Sequence, residues 1–196
     1  ALSSRLDVEI ERDGHRYSQT YERGAPTADL QQVGDTDGHG TTIRFWPDDE
    51  IFESTTFTMD TIVRRLRDTA FLTAGLEIVL RDERARDEAE EDASPREHRF
   101  HAPGGLRDFV DHIRATKAKE GLHPVIHYTH EDTGPSGAMH VEIACQWIDD
   151  YNDSILSFAN TISTHEGGTH EEGFRTAITS VFNKYAEDKG ILRSKD

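Results

Sequence analysis

The opening part of the chain, up to Pro47, alternates apolar and polar positions in the way that predicts β-strands. The alternation in "RLDVEIERDGHRYSQTYERG" runs on both sides of Asp13-Gly14, a dipeptide typical of a tight hairpin turn. A further strand, "TTIRFWP" from Thr41 to Pro47, follows the turn-rich "GDTDGHG" and is stopped by its proline. The pattern therefore predicts an antiparallel sheet in this part of the chain.

The spacing of apolar residues then changes to that of amphipathic helices. The segment "FTMDTIVRRLRDTAFL" has one apolar face, formed by Met59, Ile62, Val63, Leu66, Ala70 and Phe71. The segment "GLRDFVDHIRATKA" has a similar face, formed by Leu106, Phe109, Val110 and Ile113. Between these helices, "LEIVLRD" predicts a short strand that pairs with "EHRFHA" across an acidic loop of residues 82–96.

The remainder predicts three strands and a long helix. The strands are "PVIHYTH", "AMHVEIACQW" and "SILSFANTI", and the loop "EDTGPSG" links the first two. The helix runs from about Glu171 to Lys189 and stops before Gly190, with a buried face of Phe174, Ile178, Val181, Phe182 and Tyr185. Strands grouped together with helices on one side predict an α+β fold rather than a doubly wound parallel sheet.

The composition and the spacing of apolar residues change at Pro103-Gly104-Gly105, which predicts a domain boundary there. The 196 residues suffice for one ordinary domain or two small ones. We therefore expect one domain over residues 1–103 and a second over residues 104–196.

The charge balance is strongly acidic, with 38 Asp and Glu against 22 Lys and Arg and a formal net charge of −16. Contacts with nucleic-acid phosphates require Lys and Arg, so the isolated chain is not expected to bind DNA by itself. The densest run of acidic residues, in the predicted loop of residues 82–96, is interpreted as a solvated loop. An acidic surface of this extent also suggests a salt-adapted cytoplasm.

We expect the melting temperature of the chain to rise as NaCl is increased from dilute to molar concentration. The physical reason is that salt screens the repulsion among surface carboxylates. Thermal unfolding followed by circular dichroism at fixed pH measures this effect. A melting temperature that falls over the same range would contradict the salt-adapted interpretation.

The sequence also bears on compartment. It contains no apolar run as long as a membrane span, and no basic-then-apolar leader at Ala1. The one cysteine, Cys145, lies in the apolar stretch "HVEIACQW", which favours a buried structural thiol over a nucleophile. We therefore expect a cytoplasmic protein with no membrane association.

The stretch "GGTHEEGFRTAI", residues 167–178, could suggest a metal or phosphate site. A helical zinc site of the His-Glu-x-x-His kind needs a second histidine four residues after His170, where Phe174 stands instead. No Lys-Ser/Thr pair follows the glycines, as a phosphate-binding P-loop would require. Thr169 and Glu172 have the spacing of a helix capping box, so the stretch predicts a helix start rather than an active site.

Several segments occur in an order that matches a known family. They are "ALSSRL", "GTTIRFWPDDEIFE", "RRLRDTAFLTAGLEIVLRD", "GGLRDFV", "QWIDDYNDSILSFANTI" and "GGTHEEGFRTA". Over nearly its whole length the chain resembles the ATPase-bearing B subunits of DNA gyrase, which are type IIA topoisomerases. The ATPase subunits of topoisomerase IV are the near alternative, and the wording of the segments favours gyrase.

The resemblance implies a fold for each predicted domain. Residues 1–103 would form the second half of a GHKL-type ATPase domain, whose sheet carries helices on one face. Residues 104–196 would form the N-terminal part of the transducer domain, which has a ribosomal-S5-domain-2-like fold with a left-handed crossover, against the usual rule. The chain would then be an internal piece of a longer subunit, with an unpaired sheet edge and exposed apolar surface.

The resemblance also implies binding residues for ATP. Thr41 matches the threonine that helps hold the adenine, Ile43 matches an apolar wall of the same pocket, and Arg12 matches the arginine that contacts aminocoumarin antibiotics. Thr41 and Ile43 suit an ordinary strand equally well, and Arg12 could be a solvated hairpin charge. The main ligands of ATP and Mg²⁺ would precede Ala1 or follow Asp196. No catalytic or metal-binding residue is therefore expected in this chain, and the isolated chain should be inactive.

The implied function is a mechanical relay within a larger assembly. Its partners would be the gyrase A subunit, a second B protomer and DNA. Gly104 and Gly105 are the hinge candidates, and the helix that begins near Thr169 and Glu172 is the lever candidate. A non-enzymatic acidic interaction module would explain the net charge equally well, whereas a metallohydrolase fails on histidine spacing.

Overall fold

A computed structural model describes residues 2–84, 97–134 and 137–191. The chain divides into two compact units, Ala1–Met59 and Asp60–Asp196. The predicted domain boundary at residues 103–105 lies inside the second unit and stays a prediction. Residues 85–96 of the predicted acidic loop lie outside the described residues. Within the described part of the chain, no helix is long and apolar enough to cross a membrane.

The first unit is an antiparallel sheet of five strands. Its order is β3-β2-β1-β5, with β4 also paired to β2. The strands are β1 (Ser3–Arg12), β2 (His15–Glu22), β3 (Ala25–Pro26), β4 (Gln31–Asp35) and β5 (Gly40–Pro47). The predicted hairpin at Asp13-Gly14 is confirmed, since both residues have positive φ (54° and 82°), as the tight turns that match strand twist require.

The register of β1, β2 and β5 separates apolar from charged side chains. Because paired residues of antiparallel strands point to the same side, the pairs Leu6–Phe45 and Val8–Ile43 share one face. This apolar face comprises Leu6, Val8, Ile10, Tyr17, Tyr21, Ile43 and Phe45. It is open, because Ile43 and Phe45 on the edge strand β5 are 60% and 51% exposed. The expected exposed apolar surface is therefore present in the first unit.

A buried aspartate anchors the chain where β5 ends. Asp48 is 2% exposed, and its carboxylate pairs with the Arg23 guanidinium at 3.1 Å and accepts a hydrogen bond from the Glu50 backbone N–H at 3.0 Å. Its backbone N–H donates to the carbonyl of Leu2 at 3.2 Å. These contacts join the exit of β5 to both ends of the β1–β2 hairpin.

The second unit combines helices with two-stranded antiparallel pairs. Its helices are α1 (Met59–Leu72, whose first residue ends the first unit), α2 (Leu106–Thr116) and α3 (Thr169–Asp188). Its strands are β6 (Glu77–Arg81), β7 (Glu97–His101), β8 (Ile126–Gly134), β9 (Gly137–Cys145), β10 (Phe158–Ala159) and β11 (Ile162–Ser163). The predicted α+β class is confirmed, as is the pairing of β6 with β7.

Two predicted connections differ from the structure. The segment predicted as one strand, "SILSFANTI", forms the short strands β10 and β11 around Asn160 and Thr161, both with positive φ (48° and 67°). Asparagine tolerates this conformation because its side chain can hydrogen-bond locally, and the apolar pattern does not reveal the turn. Most of the predicted loop "EDTGPSG" is strand, because β8 extends to Gly134 and β9 begins at Gly137.

The core of the second unit lies where α1, the end of β7 and α2 meet. Its buried apolar residues are Ala70, Ala102 and Phe109, with 2%, 3% and 7% exposed. The ring of Phe71 stacks on that of Phe109, with centroids 4.7 Å apart and planes 6° from parallel. The predicted inward faces of α1 and α2 are therefore confirmed at these positions.

Helix α3 ends as predicted but is not covered as predicted. At its end, Gly190 has φ 66°, and the Ile191 N–H donates to the Ala186 carbonyl at 2.8 Å, which is a Schellman motif. The predicted buried face is wrong for Val181, Phe182 and Tyr185, which are 66%, 52% and 56% exposed. The helical pattern shows which face is apolar but not how far it is covered; among the described residues, the Trp147 ring contacts the Phe182 ring edge-on, with centroids 5.3 Å apart.

Candidate functional site

The three sequence-predicted binding residues share the apolar face of the first unit. Thr41 pairs with Ile10 and Ile43 pairs with Val8, so both lie on that face. Arg12 follows Ile10 by two positions on β1 and therefore points to the same side. The pairing of β1 with β5 thus brings together residues from two separate segments of the chain.

This face could form one side of a binding pocket, but by itself it does not enclose one. The Thr41 hydroxyl can donate and accept a hydrogen bond, and the Ile43 side chain beside it is aliphatic. The Arg12 side chain is 71% exposed and pairs with the Asp13 carboxylate at 3.2 Å. A concavity of about 360 Å³ lies on the sheet, lined by Leu2, Ser3, Leu6, Val8, Tyr21 and Gly24. Thr41, Ile43 and Arg12 do not line it, so a planar ring on Thr41 would need further walls.

The opposite face of the sheet is occupied by ion pairs. The Arg16 guanidinium pairs with the Glu11 carboxylate at 2.6 Å, and that of Arg5 pairs with Asp7 at 2.9 Å. The hydrogen bond from Arg16 holds the pKa of Glu11 below its usual value, and that from Arg5 does the same for the pKa of Asp7. These two carboxylates are therefore already engaged by arginines of the same sheet.

The hinge candidates Gly104 and Gly105 lie in a closely packed turn. The Gly104 N–H donates to the Asp108 carboxylate at 2.8 Å, and the Gly105 N–H donates to the Ala102 carbonyl at 3.0 Å. Gly105 has φ 57°, and a Cβ at that position would lie 3.1 Å from the Cβ of Ala74. The absence of a side chain therefore allows the start of α2 to approach the segment that follows α1.

The predicted capping box at the start of α3 is wrong. The N-cap residue is Gly168, no side chain caps the helix, and Thr169 is already the first helical residue. Because the helix begins one residue before the capping box requires, the Glu172 N–H bonds instead to the Gly168 carbonyl at 3.0 Å. Thr169 and Glu172 therefore have no capping role.

A different carboxylate, that of Glu171, organises this helix start. It accepts a hydrogen bond from the Ser157 hydroxyl at 2.8 Å and one from the Arg175 guanidinium at 3.0 Å. Ser157 also contacts the Thr164 hydroxyl at 2.8 Å. The spacing of Glu171 and Arg175, four residues apart on a helix, was a usable sequence signal, whereas the partner Ser157 lies far along the chain.

The pKa of Glu171 gives a testable pH dependence. The hydrogen bonds from Ser157 and then Arg175 lower the pKa of Glu171 below its ordinary value of 4.5. A carboxylate with a lowered folded-state pKa stabilises the fold above the unfolded-state value, and this contribution is lost as the pH falls through the folded-state value. The stability difference between wild type and Glu171→Gln should therefore shrink from about pH 6 to about pH 3.

Urea unfolding at several pH values measures this difference. Glu172→Gln is the matched control, because Glu172 neighbours Glu171 but is exposed at the helix start. Its difference from wild type should change less over the same range. If the Glu171→Gln difference were independent of pH, the hydrogen-bonded carboxylate would not contribute to stability.

The structure gives no support for other reactive groups among the described residues. Burial raises the pKa of the Cys145 thiol, which suits a structural cysteine better than a nucleophile. Within residues 2–84, 97–134 and 137–191, no three His, Cys, Asp or Glu side chains lie close enough together to hold a metal ion.

Comparison with known proteins identifies the family. Residues 105–196 match the family model of DNA gyrase B. The chain is 47% identical to a novobiocin-resistant DNA gyrase B protein of Streptomyces niveus and 46% identical to the DNA gyrase B protein of Mycobacterium tuberculosis. All of the chain is covered in both cases, but only 30% and 32% of the relatives. The chain thus spans about a third of the length of these curated relatives.

Solved structures agree with this result. The 43K ATPase domain of Thermus thermophilus gyrase B, in complex with an aminocoumarin, superposes with a TM-score of 0.74 at 30% identity. The match covers 100% of this chain and 50% of that one. The gyrase B protein from Myxococcus xanthus gives a TM-score of 0.72 at 26% identity, over 95% of this chain and 51% of that one. The α+β fold is thus that of gyrase B ATPase-domain structures, and the chain belongs to the DNA gyrase B family.

Proposed function

We propose that this chain forms part of an ATP-dependent gyrase B protein, which couples ATP binding and hydrolysis to DNA strand passage and supercoiling. The observation that carries the proposal is the match of the whole chain to a gyrase B ATPase-domain structure. Residues 1–103 then supply the second half of a GHKL-type ATPase domain. Residues 104–196 supply the first part of the transducer.

Within that protein, the apolar face of the first unit forms one wall of the nucleotide pocket. Thr41 holds the adenine edge through its hydroxyl, directly or through a water, and Ile43 excludes water beside it. Arg12 lies at the mouth of the pocket, where it would contact an aminocoumarin. Their shared face, together with the exposure of Ile43 and Arg12, supports these roles.

ATP and Mg²⁺ are the cofactors of this function. The described residues can contact the base of ATP but do not supply the ligands of the metal ion. They provide a hydroxyl and an aliphatic wall for the base, but no cluster of carboxylates for a metal ion. The metal ligands and catalytic groups are proposed to come from other parts of the full-length protein, as the resemblance to gyrase B proteins implies. The isolated chain is expected not to hydrolyse ATP.

The partners of the full-length protein are a second B protomer, the gyrase A subunit and DNA. ATP binding would bring two protomers together, and the transducer would change its position relative to the ATPase domain. Gly104 and Gly105 are the proposed hinge, and α3, beginning at Thr169 with Glu172 in its first turn, is the proposed lever. The aminocoumarins are the proposed inhibitors at the ATP pocket.

Thr41→Val in the full-length protein tests the binding role. Valine keeps the shape but removes the hydroxyl, so a buried adenine donor loses its partner, and ATP should bind about tenfold more weakly. Isothermal titration with a non-hydrolysable ATP analogue measures the affinity. Thr42→Val is the matched control, because Thr42 pairs with Glu9 on the opposite face and its substitution should leave the affinity unchanged.

The results distinguish the role of Thr41 from the function of the full-length protein. If Thr41→Val and Thr42→Val bound the analogue as well as wild type, Thr41 would not contact the nucleotide. If the full-length wild-type protein bound no nucleotide at all, the proposed function itself would be wrong.

A further inference from the structure

A set of aromatic rings joins three elements of the second unit. We call Phe71, Phe109 and Phe158 the aromatic joint. Phe71 near the end of α1 stacks on Phe109 of α2. The ring of Phe158 in β10 also lies near that of Phe109, with centroids 6.1 Å apart and planes 44° from parallel. Among the described residues, Phe109 is the one aromatic side chain that is buried, with 7% exposed.

Backbone hydrogen bonds beside the aromatic joint hold α1 and α2 close together. The Ala102 carbonyl accepts a hydrogen bond from the Gly105 N–H at 3.0 Å and one from the Gly75 N–H at 3.4 Å. The residue that follows β7 is thus bonded both to the turn after α1 and to the N-cap of α2. Gly105 itself is buried and faces Ala74 without a side chain between them.

We propose that the aromatic joint transmits a change in the position of α1, in the ATPase part, to α2, the first helix of the transducer part. This inference rests on the proposed function and names residues in addition to its hinge glycines. The rings stack 4.7 Å apart with planes 6° from parallel, and the strength of such a contact depends on the relative orientation of the two helices that carry the rings. A tilt of α1 would therefore either carry α2 with it or weaken the stacked contact. The position of Phe158 extends the same constraint to β10.

The proposed hinge glycines fix the backbone at the start of α2, because both N–H groups of Gly104 and Gly105 are bonded within the turn. The stacked rings constrain the orientation of the helix that follows. The aromatic joint therefore acts as a positioning contact, and its loss should uncouple the two parts without removing the nucleotide site. None of its three residues lies on the apolar face of the first unit.

The test uses the full-length B protein assembled with the A subunit, and the variants Phe71→Leu and Phe109→Leu. Leucine keeps an apolar side chain but cannot stack, so the amount of ATP hydrolysed per supercoil introduced should rise about fivefold, a usual size for coupling between sites. Affinity for a non-hydrolysable ATP analogue should stay within about twofold of wild type. Phe71→Tyr keeps the aromatic ring, so its ratio of ATP hydrolysed to supercoils introduced should equal that of wild type.

Tyr151→Leu is the matched control, because its ring is fully exposed at 104% and its loss should change neither quantity. An unchanged ratio of ATP to supercoils in both leucine variants would overturn the proposal. So would a parallel loss of nucleotide affinity and supercoiling, since the joint would then be only a part of the folded core. A full-length wild-type protein that bound no ATP would instead contradict the proposed function, which keeps the two failures distinct.

Discussion

Replacing Phe109 with alanine is expected to lower the free energy of unfolding of the second unit by about 3 to 5 kcal/mol. The side chain is 7% exposed, stacks on Phe71 and contacts Phe158, so its removal leaves a cavity between three elements. Stacking on Phe71 contributes about 0.5 to 1.5 kcal/mol of stability beyond that from the apolar area that Phe109 buries. Few other apolar side chains of this unit are buried among the described residues, so little else can compensate.

Urea unfolding measured by the fluorescence of Trp147 provides the test. A Trp46→Phe background removes the other tryptophan, which lies in the first unit, so the signal reports the second unit. Tyr151→Ala is the control, because a fully exposed ring should contribute less than about 0.5 kcal/mol. A loss for Phe109→Ala as small as that of the control would show that Phe109 is not the core of this unit.

Replacing Gly105 with valine is expected to destabilise the same unit by about 2 kcal/mol or more. Gly105 has φ 57°, a conformation that a β-branched residue adopts only under strain. Its new Cβ would also lie 3.1 Å from the Cβ of Ala74, which belongs to the turn after α1 and cannot move away as a long side chain can. Strain and crowding therefore act in the same direction.

Gly173→Ala should have the opposite sign and is a control within the same unit. Gly173 lies inside α3, has no positive φ and has nothing within 4 Å of a new Cβ. Alanine there should stabilise the helix by about 0.5 to 1 kcal/mol. The same urea experiment measures both variants, and equal effects at the two glycines would contradict the assigned conformations.

The relation between sequence and structure differs from element to element. The helices α1 and α2 were predictable with their inward faces, because the 3.6-residue period is a property of the segment alone. The hairpin at Asp13-Gly14 was predictable because that dipeptide adopts the required positive φ. The turn at Asn160 and Thr161 was not, since a two-residue reversal inside an apolar stretch leaves no break in the pattern.

The candidate site shows the same division. That Thr41 and Ile43 share a face follows from the two-residue repeat of any strand. That Arg12 joins them depends on the pairing of β1 with β5, which are far apart in the chain. The resemblance to gyrase B proteins assigned roles to these residues, and their register places them on one side of one sheet.

At the start of α3, a local rule and a tertiary contact compete. Thr169 and Glu172 had capping-box spacing, but the helix begins at Thr169 itself and Glu171 bonds to Ser157. Likewise, the sequence marks Val181 and Phe182 as apolar without specifying a neighbour. The sequence by itself determined where helices and strands form and which side of each is apolar, because those depend on neighbouring residues. Only the tertiary structure decided which faces are covered, which carboxylate is bonded and how α1 meets α2, because those contacts join residues that the chain separates.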